Sequence, residues 1–275
     1  MAKTGMYPYV SGWRCSKPPM HATVPIPTSA WRNSSNMAGF QFNPIGIIRS
    51  PFSDKFGIPR QPRLVNAARA SLVLLPPYDQ ESAFKGLEGF THVWLIFVFH
   101  DDCLDAGWRP TVRPPRLGGR EKVGVFASRA PYRPNPIGLS AVEQHGLERT
   151  GEGLTLRLQG IDLLDGTPVL DVKPYVPYAD KIPEASQGFA RATTSTRRPI
   201  RFSDAAIRGI RERDPHGHLC LQQLIEQVIA QDPRPGYMDR YPLRRRFALR
   251  LYDCEIVWHI EADAFVVCSV SCAGN

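Results

Sequence analysis

Leu154-Thr-Leu-Arg-Leu-Gln-Gly-Ile-Asp-Leu-Leu-Asp-Gly-Thr-Pro-Val-Leu-Asp-Val172 decides the fold. Leu154, Leu156 and Leu158 alternate with Thr155, Arg157 and Gln159, the period of a half-buried strand, expected over Leu154–Leu164. Asp165-Gly166 is a strong turn signal, and Pro168 to Val172 reads as the returning strand. Working outward, the same grammar recurs at short intervals. Ile45, Ile47 and the Arg49-Ser50-Pro51 stop make a short strand, and Ser71–Leu75, Val93–Phe99, Val123–Ser128 and Gly138–Gln144 extend the series. Helical periodicity is scarce between residues 41 and 180. Many short strands with frequent turn residues predict a mainly β barrel or sandwich rather than βαβ units.

A polar run rich in Ala, Thr, Ser and Arg, from Phe189 to Arg201, reads as a linker. Beyond it, Leu221, Leu224, Ile225, Val228 and Ile229 recur at helical spacing and Asp232-Pro233 ends that helix. Three strands follow, over Phe247–Tyr252, Cys254–Ile260 and Phe265–Val270. The division expected is an extension over 1–36, a β domain over 41–182, a linker over 183–201 and a small α+β domain over 202–275. The first 36 residues carry no acid and five prolines and show no signal-peptide core. They read either as a disordered arm or as sequence upstream of a translation start at Met37.

The net charge of +8 and a pI near 9.3 favour a polyanionic partner. That charge is concentrated: between Ala106 and Gly138 stand Arg109, Arg113, Arg116, Arg120, Lys122, Arg129 and Arg133 against the single acid Glu121. Such a stripe is read as phosphate-facing. No apolar run approaches the roughly 18 residues of a membrane helix. Six cysteines without a C-x-x-C pair read as reduced thiols, which places the chain in a cytoplasm.

Two stretches carry candidate chemistry. In Gly124–Ser140, Pro134 and Pro136 hold Arg133 and Asn135 extended, beside Arg129. Arginine and asparagine on stiff backbone suit a carboxylate, a phosphate or an adenine edge, although a plain rigid turn has the same sequence. In Asp162–Tyr175, Asp165 reads as the turn residue. Asp162 and Asp171 remain open, either as acceptors for an amine or ribose or as a general base. His92 and His100 share a strand face, but at about 3.3 Å per residue they stand roughly 26 Å apart, so no metal is expected. No G-x-S-x-G elbow surrounds Ser140, and neither G-x-G-x-x-G nor a Walker loop is present.

Pro59-Arg60-Gln61, Gly86-Leu87-Glu88 with Phe90, His92-Val93-Trp94, Arg113 to Gly119, Arg129 to Ser140, Asp165-Gly166-Thr167-Pro168, Asp171 to Tyr175 and Asp232 to Pro235 together resemble the TsaA-like, TrmO-type tRNA (adenine-N6)-methyltransferases. The resemblance runs from about residue 41 to the C-terminus. It implies a single-sheet β-barrel binding S-adenosylmethionine near a homodimer interface, and methyl transfer to N6 of threonylcarbamoyladenosine at position 37 in the tRNA anticodon loop. By motif, Gln61, Pro62, Arg63, His100, Asp101, Arg129, Leu139, Gln159, Gly160, Ile161 and Asp162 are expected at the cofactor. Asp162 is also the candidate base. Arg113, Arg116, Arg133, Asn135, Lys173 and Tyr175 are expected to meet the tRNA, with Arg244-Arg245-Arg246 extending the footprint. A non-enzymatic RNA-binding barrel is the competing reading.

Overall fold

The computed structural model describes residues 40–100, 107–114, 121–190, 198–234 and 246–272. Residues 40–43 form no regular element, and the chain from Pro44 onward is one compact unit. The expected extension over 1–36 lies outside the described residues.

The mainly β reading is borne out. In chain order the first strands are β1 (Gly46–Arg49), β2 (Arg69–Leu74), β3 (His92–Val98), β4 (Thr111–Val112), β5 (Val123–Gly124), β6 (Ile137–Thr150), β7 (Gly153–Gln159) and β8 (Pro168–Pro174). Six of them hydrogen-bond in the order β1-β2-β7-β6-β3-β8, and β8 pairs back onto β1, so the sheet closes on itself. Alternation fixes which face is inward: Leu72, Leu74, Val93, Leu95, Val142, Leu154, Leu156, Leu158 and Val169 are all nearly or fully buried. β4 and β5 form a separate two-stranded ribbon.

Two strand expectations are corrected here. Val123–Ser128 is a strand only at Val123–Gly124; Val125–Ala127 is a 3-10 turn, closed by the Ser128 hydroxyl donating to the Val125 carbonyl at 2.9 Å. The run Leu154–Leu164 leaves the ladder after Gln159, because Gly160 adopts φ +73°. That region favours glycine, and the chain turns there.

After a four-residue helix α1 (Pro177–Asp180), the C-terminal segment supplies β9 (Ile200–Phe202), α2 (Asp204–Arg213), α3 (Leu221–Ala230), β10 (Arg246–Leu251), β11 (Cys254–Glu261) and β12 (Ala264–Cys272). The end of the expected linker is therefore ordered, since β9 pairs parallel to β12. Residues 191–197 lie outside the described residues. Helix α2 is the element that periodicity does not announce. Its signal is at the ends: the Ser203 hydroxyl accepts from Ala206 N at 3.1 Å, Asp204 opens the first turn, and Arg211 and Arg213 close the last.

The cysteine expectation fails for one pair. Cys254 and Cys272 face each other across β11 and β12 and are disulfide-bonded. Antiparallel register brings together two residues that their 18-residue separation does not. Among the described residues, no helix is long and apolar enough to cross a membrane.

One hydrophobic cluster joins both halves of the 44–275 unit, running from Ile48, Leu72 and Leu95 through Leu224 and Val228 to Trp258 and Phe265. Specific bonds cross the same seam: Ala67 N donates to Gln227 Oε1 at 2.8 Å, Tyr252 N to the Pro51 carbonyl at 2.7 Å, and Arg69 to the His218 carbonyl at 2.9 Å.

α2 crosses β12 at Gly209, where a Cβ would stand 2.0 Å from the Val270 carbonyl oxygen. Helix propensity alone makes Gly→Ala stabilising by up to about 1 kcal/mol. Overpacking against backbone costs about 1–3 kcal/mol or more and wins. Gly209→Ala is therefore expected to lower the urea midpoint; a raised midpoint contradicts this packing.

Candidate active site

β7 delivers the site. Gly160 N donates to the Ala68 carbonyl at 2.9 Å, and the Gly160 carbonyl accepts from Arg63 N at 2.8 Å. The loop carrying Gln61, Pro62 and Arg63 is thereby stapled to the end of the strand. The approach is close: a Cβ on Gly160 would meet Arg63 Cα at 3.3 Å, and Arg63 itself sits at φ +65°. One residue on, the Ile161 side chain is fully buried in the core, so any contact it makes with a ligand is through its backbone.

With Ile161 anchored, Asp162 is half-buried, and the Ser140 hydroxyl donates to its Oδ1 at 2.7 Å. Ser140 is 2% exposed on β6. Burial pushes the Asp162 carboxyl up to about 6, against the opposing pull of the Ser140 hydrogen bond and the Arg129 charge. Arg129 lies close for a second reason: its Nη1 donates to Gln61 Oε1 at 2.5 Å. Direct hydrogen bonds thus join Arg63 to Gly160, Arg129 to Gln61 and Ser140 to Asp162, and the Arg129 charge acts on the Asp162 carboxyl. Leu139 precedes Ser140 on β6 and is 51% exposed, turned by strand alternation to the face opposite the buried Ser140.

A cavity of about 560 Å³ opens against this cluster, lined by Pro62, Arg63, Leu64, Asn66, His92, Glu143 and Gln159. Glu143 pairs with His92 on one side and Gln159 on the other, so three neighbouring strands present a row of polar side chains. Asn66, His92 and Glu143 were not singled out as ligands from the sequence. The register of β3, β6 and β7 is what reveals His92 and Glu143, and no local motif encodes it; Asn66 comes from the loop before β2.

Other expected residues are placed differently. His100 Nδ1 is 3.4 Å from Thr167 Oγ1, at the Asp165-Gly166 turn. Asp165 is structural as expected, its Oδ1 accepting from Ser50 N at 2.9 Å. Arg133 turns inward: Nη1 donates to the carbonyls of Val125 at 3.1 Å and Ser128 at 2.8 Å. Arg113 and Asn135 are exposed. Lys173 is engaged by Asp171 at 2.8 Å, and Tyr175 packs its ring 5.5 Å from that of Trp94. Asp101, Arg116, Arg244 and Arg245 lie outside the described residues. Asp253, Cys254 and Cys272 are close enough to suggest a metal group, but the two sulfurs are bonded to each other and offer no thiolate.

A closed β-sheet with a half-buried carboxylate and no Gly-rich loop is a site for a ligand held by side chains and strand ends. Residues 47–181 match the family model of the tRNA-methyltransferase O N-terminal domain, and residues 195–273 match that of the TrmO C-terminal domain. The chain belongs to the TrmO family. It is 43% identical to the tRNA (adenine(37)-N6)-methyltransferase of Escherichia coli K12, over 84% of this chain and 97% of that protein. It is 51% identical to a putative S-adenosylmethionine-dependent methyltransferase, RcsF, of Pseudomonas aeruginosa PAO1, over 79% of this chain and 91% of that one. The crystal structure of TrmO from Pseudomonas aeruginosa superposes with a TM-score of 0.70 at 43% identity, covering 85% of this chain and 99% of that one.

Asp162 has a stability signature. A carboxyl raised in the fold favours the folded state while protonated, so its contribution is full below the unfolded value near 3.8 and is lost as pH rises through about 6. Denaturant midpoints at pH 4 and pH 7 are expected to show Asp162→Asn gaining on the wild type as pH rises. Parallel pH profiles for the two proteins contradict the assignment.

Proposed function

We propose that this protein is an S-adenosylmethionine-dependent tRNA (adenine(37)-N6)-methyltransferase whose substrate adenosine already carries a threonylcarbamoyl group on N6, the product being m6t6A. The observation that carries the reading is Asp162, a carboxylate held by burial near pH 6 where the Gln61–Arg63 loop, Arg129 and β6 converge. The relatives' names supply the substrate class, and the basic stripe from Arg109 to Arg133 agrees with it.

The donor set fits the cofactor. S-adenosylmethionine presents an adenine edge, ribose hydroxyls, an amino acid head and a sulfonium, and no phosphate, so a Gly-rich phosphate loop is not required. In the cavity, Asn66 and Gln159 offer amides, Arg63 a guanidinium for a carboxylate and Glu143 a carboxylate for amine or hydroxyls; outside its lining, Gln61 adds an amide, Asp162 a second carboxylate and Leu139 an exposed apolar side chain. Bound there, the cofactor supplies a methyl group already activated by its sulfonium.

The chain's own work is to position N6 and remove its proton. In the threonylcarbamoylated base N6 is part of a urea, whose delocalised lone pair is a poor nucleophile. Asp162 Oδ2, not engaged by Ser140, is the acceptor proposed for the N6 proton. A value near 6 suits that task at neutral pH: the group is ionised, yet basic enough to take a proton. Ser140 holds the carboxylate in one orientation, and Arg129 is fixed by Gln61 instead of ranging through solvent. Most of the rate enhancement is assigned to this positioning.

In this reading residues 41–182 are the catalytic part, 183–201 the connection and 202–275 a smaller α+β part that supports the cofactor loop through Gln227. The protein works as a cytoplasmic homodimer on the anticodon loop. Arg113 and Asn135 are surface contacts, and Lys173 and Tyr175 face the substrate near Asp171 and Trp94.

Methyl transfer to tRNA prepared with and without the threonylcarbamoyl group tests the substrate. Transfer is expected only to the modified tRNA; equal transfer to both refutes the threonylcarbamoyl requirement, and transfer to neither leaves an RNA-binding module. The rate is expected to rise with pH to a plateau above about 6. Asp162→Asn should lose at least about 100-fold in kcat and flatten that rise. Calorimetry separates the arginines: Arg129→Ala should weaken S-adenosylmethionine binding by about ten-fold while tRNA affinity holds, and Arg113→Ala should do the reverse, the loss of a charge-assisted contact being worth about 1.5 kcal/mol or more.

A further inference from the structure

Phe126 is 73% exposed, yet it is not a loose surface side chain. It occupies the middle of the Val125–Ala127 turn, whose first residue is buried to 1%. The Arg133 guanidinium lies 5.6 Å from the centre of its ring, and the same guanidinium bonds the carbonyls of Val125 and Ser128 at the two ends of that turn. Arg133 therefore fixes one side of the ring and leaves the rest to solvent. A single exposed apolar residue needs no explanation. A ring immobilised by an arginine that is itself immobilised is different.

The surroundings repeat the pattern. The ribbon of β4 and β5 is stitched to the proline loop by Val125 N to the Pro110 carbonyl at 3.0 Å and Arg109 N to the Tyr132 carbonyl at 3.1 Å. On that unit Trp108 is 55% exposed, and the Arg109 guanidinium stands 4.8 Å over the Tyr132 ring. Aromatic faces interleaved with arginines on a strongly cationic surface are how unpaired nucleotides are held: cations track the backbone and rings stack on bases. A second copy of this chain would bring the same cationic stripe against itself, whereas a single-stranded polyanion neutralises it. The ring stands three residues before Arg129, which reaches Gln61 in the active site, so the turn that carries it leads directly into a residue of that site.

We propose that Phe126 is the stacking platform for an unpaired base beside the target adenosine, and that Arg133 is the positioning residue that holds the platform, not a phosphate contact. The proposal rests on the reading of tRNA as substrate. It adds the base contact that the arginines do not supply, because phosphate contacts position the backbone but carry no sequence information directly.

The test is equilibrium binding of an anticodon stem-loop RNA at several salt concentrations, to the wild type, Phe126→Ala, Phe126→Trp and Arg113→Ala. Loss of one stacked base weakens binding by roughly 5- to 150-fold. Phe126→Ala is expected to show such a loss with the salt slope unchanged, whereas Arg113→Ala should lower that slope by about one. Phe126→Trp should keep near-wild-type affinity, and its added fluorescence should be quenched when the RNA binds. S-adenosylmethionine affinity should be unaffected in both Phe126 variants, which also controls for folding. Wild-type RNA affinity in Phe126→Ala overturns the proposal. So does a change of oligomeric state by sedimentation that accounts for the loss, since the ring is then a protein interface. Methyl transfer by the wild type, measured in parallel, separates the two readings. If the wild type methylates tRNA while Phe126→Ala binds normally, only the stacking falls; if RNA binds through Phe126 without methyl transfer, only the catalytic reading falls.

Discussion

The hydrogen bond from Arg63 N to the Gly160 carbonyl, made where β7 stops, is the constraint on which the site depends. A strand that continued past Gln159 would keep alternating and send residue 162 to the face opposite residue 161 with no reason to approach β6. Gly160 at φ +73° breaks that alternation and admits the Arg63 backbone close beside it. Ile161 then locks into the core, and Asp162 is left half-buried against Ser140. The raised carboxyl is a consequence of this sequence of events, since burial is its largest cause.

The loop that makes this bond is held from its other side by the C-terminal segment. Gln227 accepts from Ala67 N, Arg69 reaches the His218 carbonyl, and a Cβ placed on Gly57 would stand 3.7 Å from Val228 and 3.8 Å from Leu249. A hydrophobic cluster continuous across that seam makes small displacements of α3 costly, because packed cores do not deform gradually. Among the described residues, the C-terminal segment thus supports the loop of the site and lines none of its cavity.

What the sequence discloses follows from how local each signal is. Alternation in Leu154–Gln159 and a short unbroken apolar run in Val93–Phe99 locate strands because each pattern is written into neighbouring residues. Asp165-Gly166 announces its turn for the same reason. The cysteine pair, the Glu143 row and the Ser140–Asp162 contact are matters of register between strands far apart in the chain, and no window of residues contains them. Arg133 is the instructive case. Its type and its place between prolines suggest a phosphate ligand, but a guanidinium with five donors also suits the carbonyls of a tight turn, and the fold uses it there. Helix α2 escapes a periodicity reading because its buried face is only Ala206 and Ile210, and its caps carry the signal instead.

The chain carries the family's two matched regions as one compact unit, with the carboxylate where loop, strand end and arginine meet. Direct observation of that carboxylate tests the account most sharply. Carbon NMR of the Asp162 side chain, assigned by comparison with Asp162→Asn, should titrate with a midpoint near 6 in the free protein and respond when S-adenosylmethionine is added. A midpoint near the ordinary 3.8, indifferent to the ligand, would mean that Asp162 is a solvated side chain outside the site.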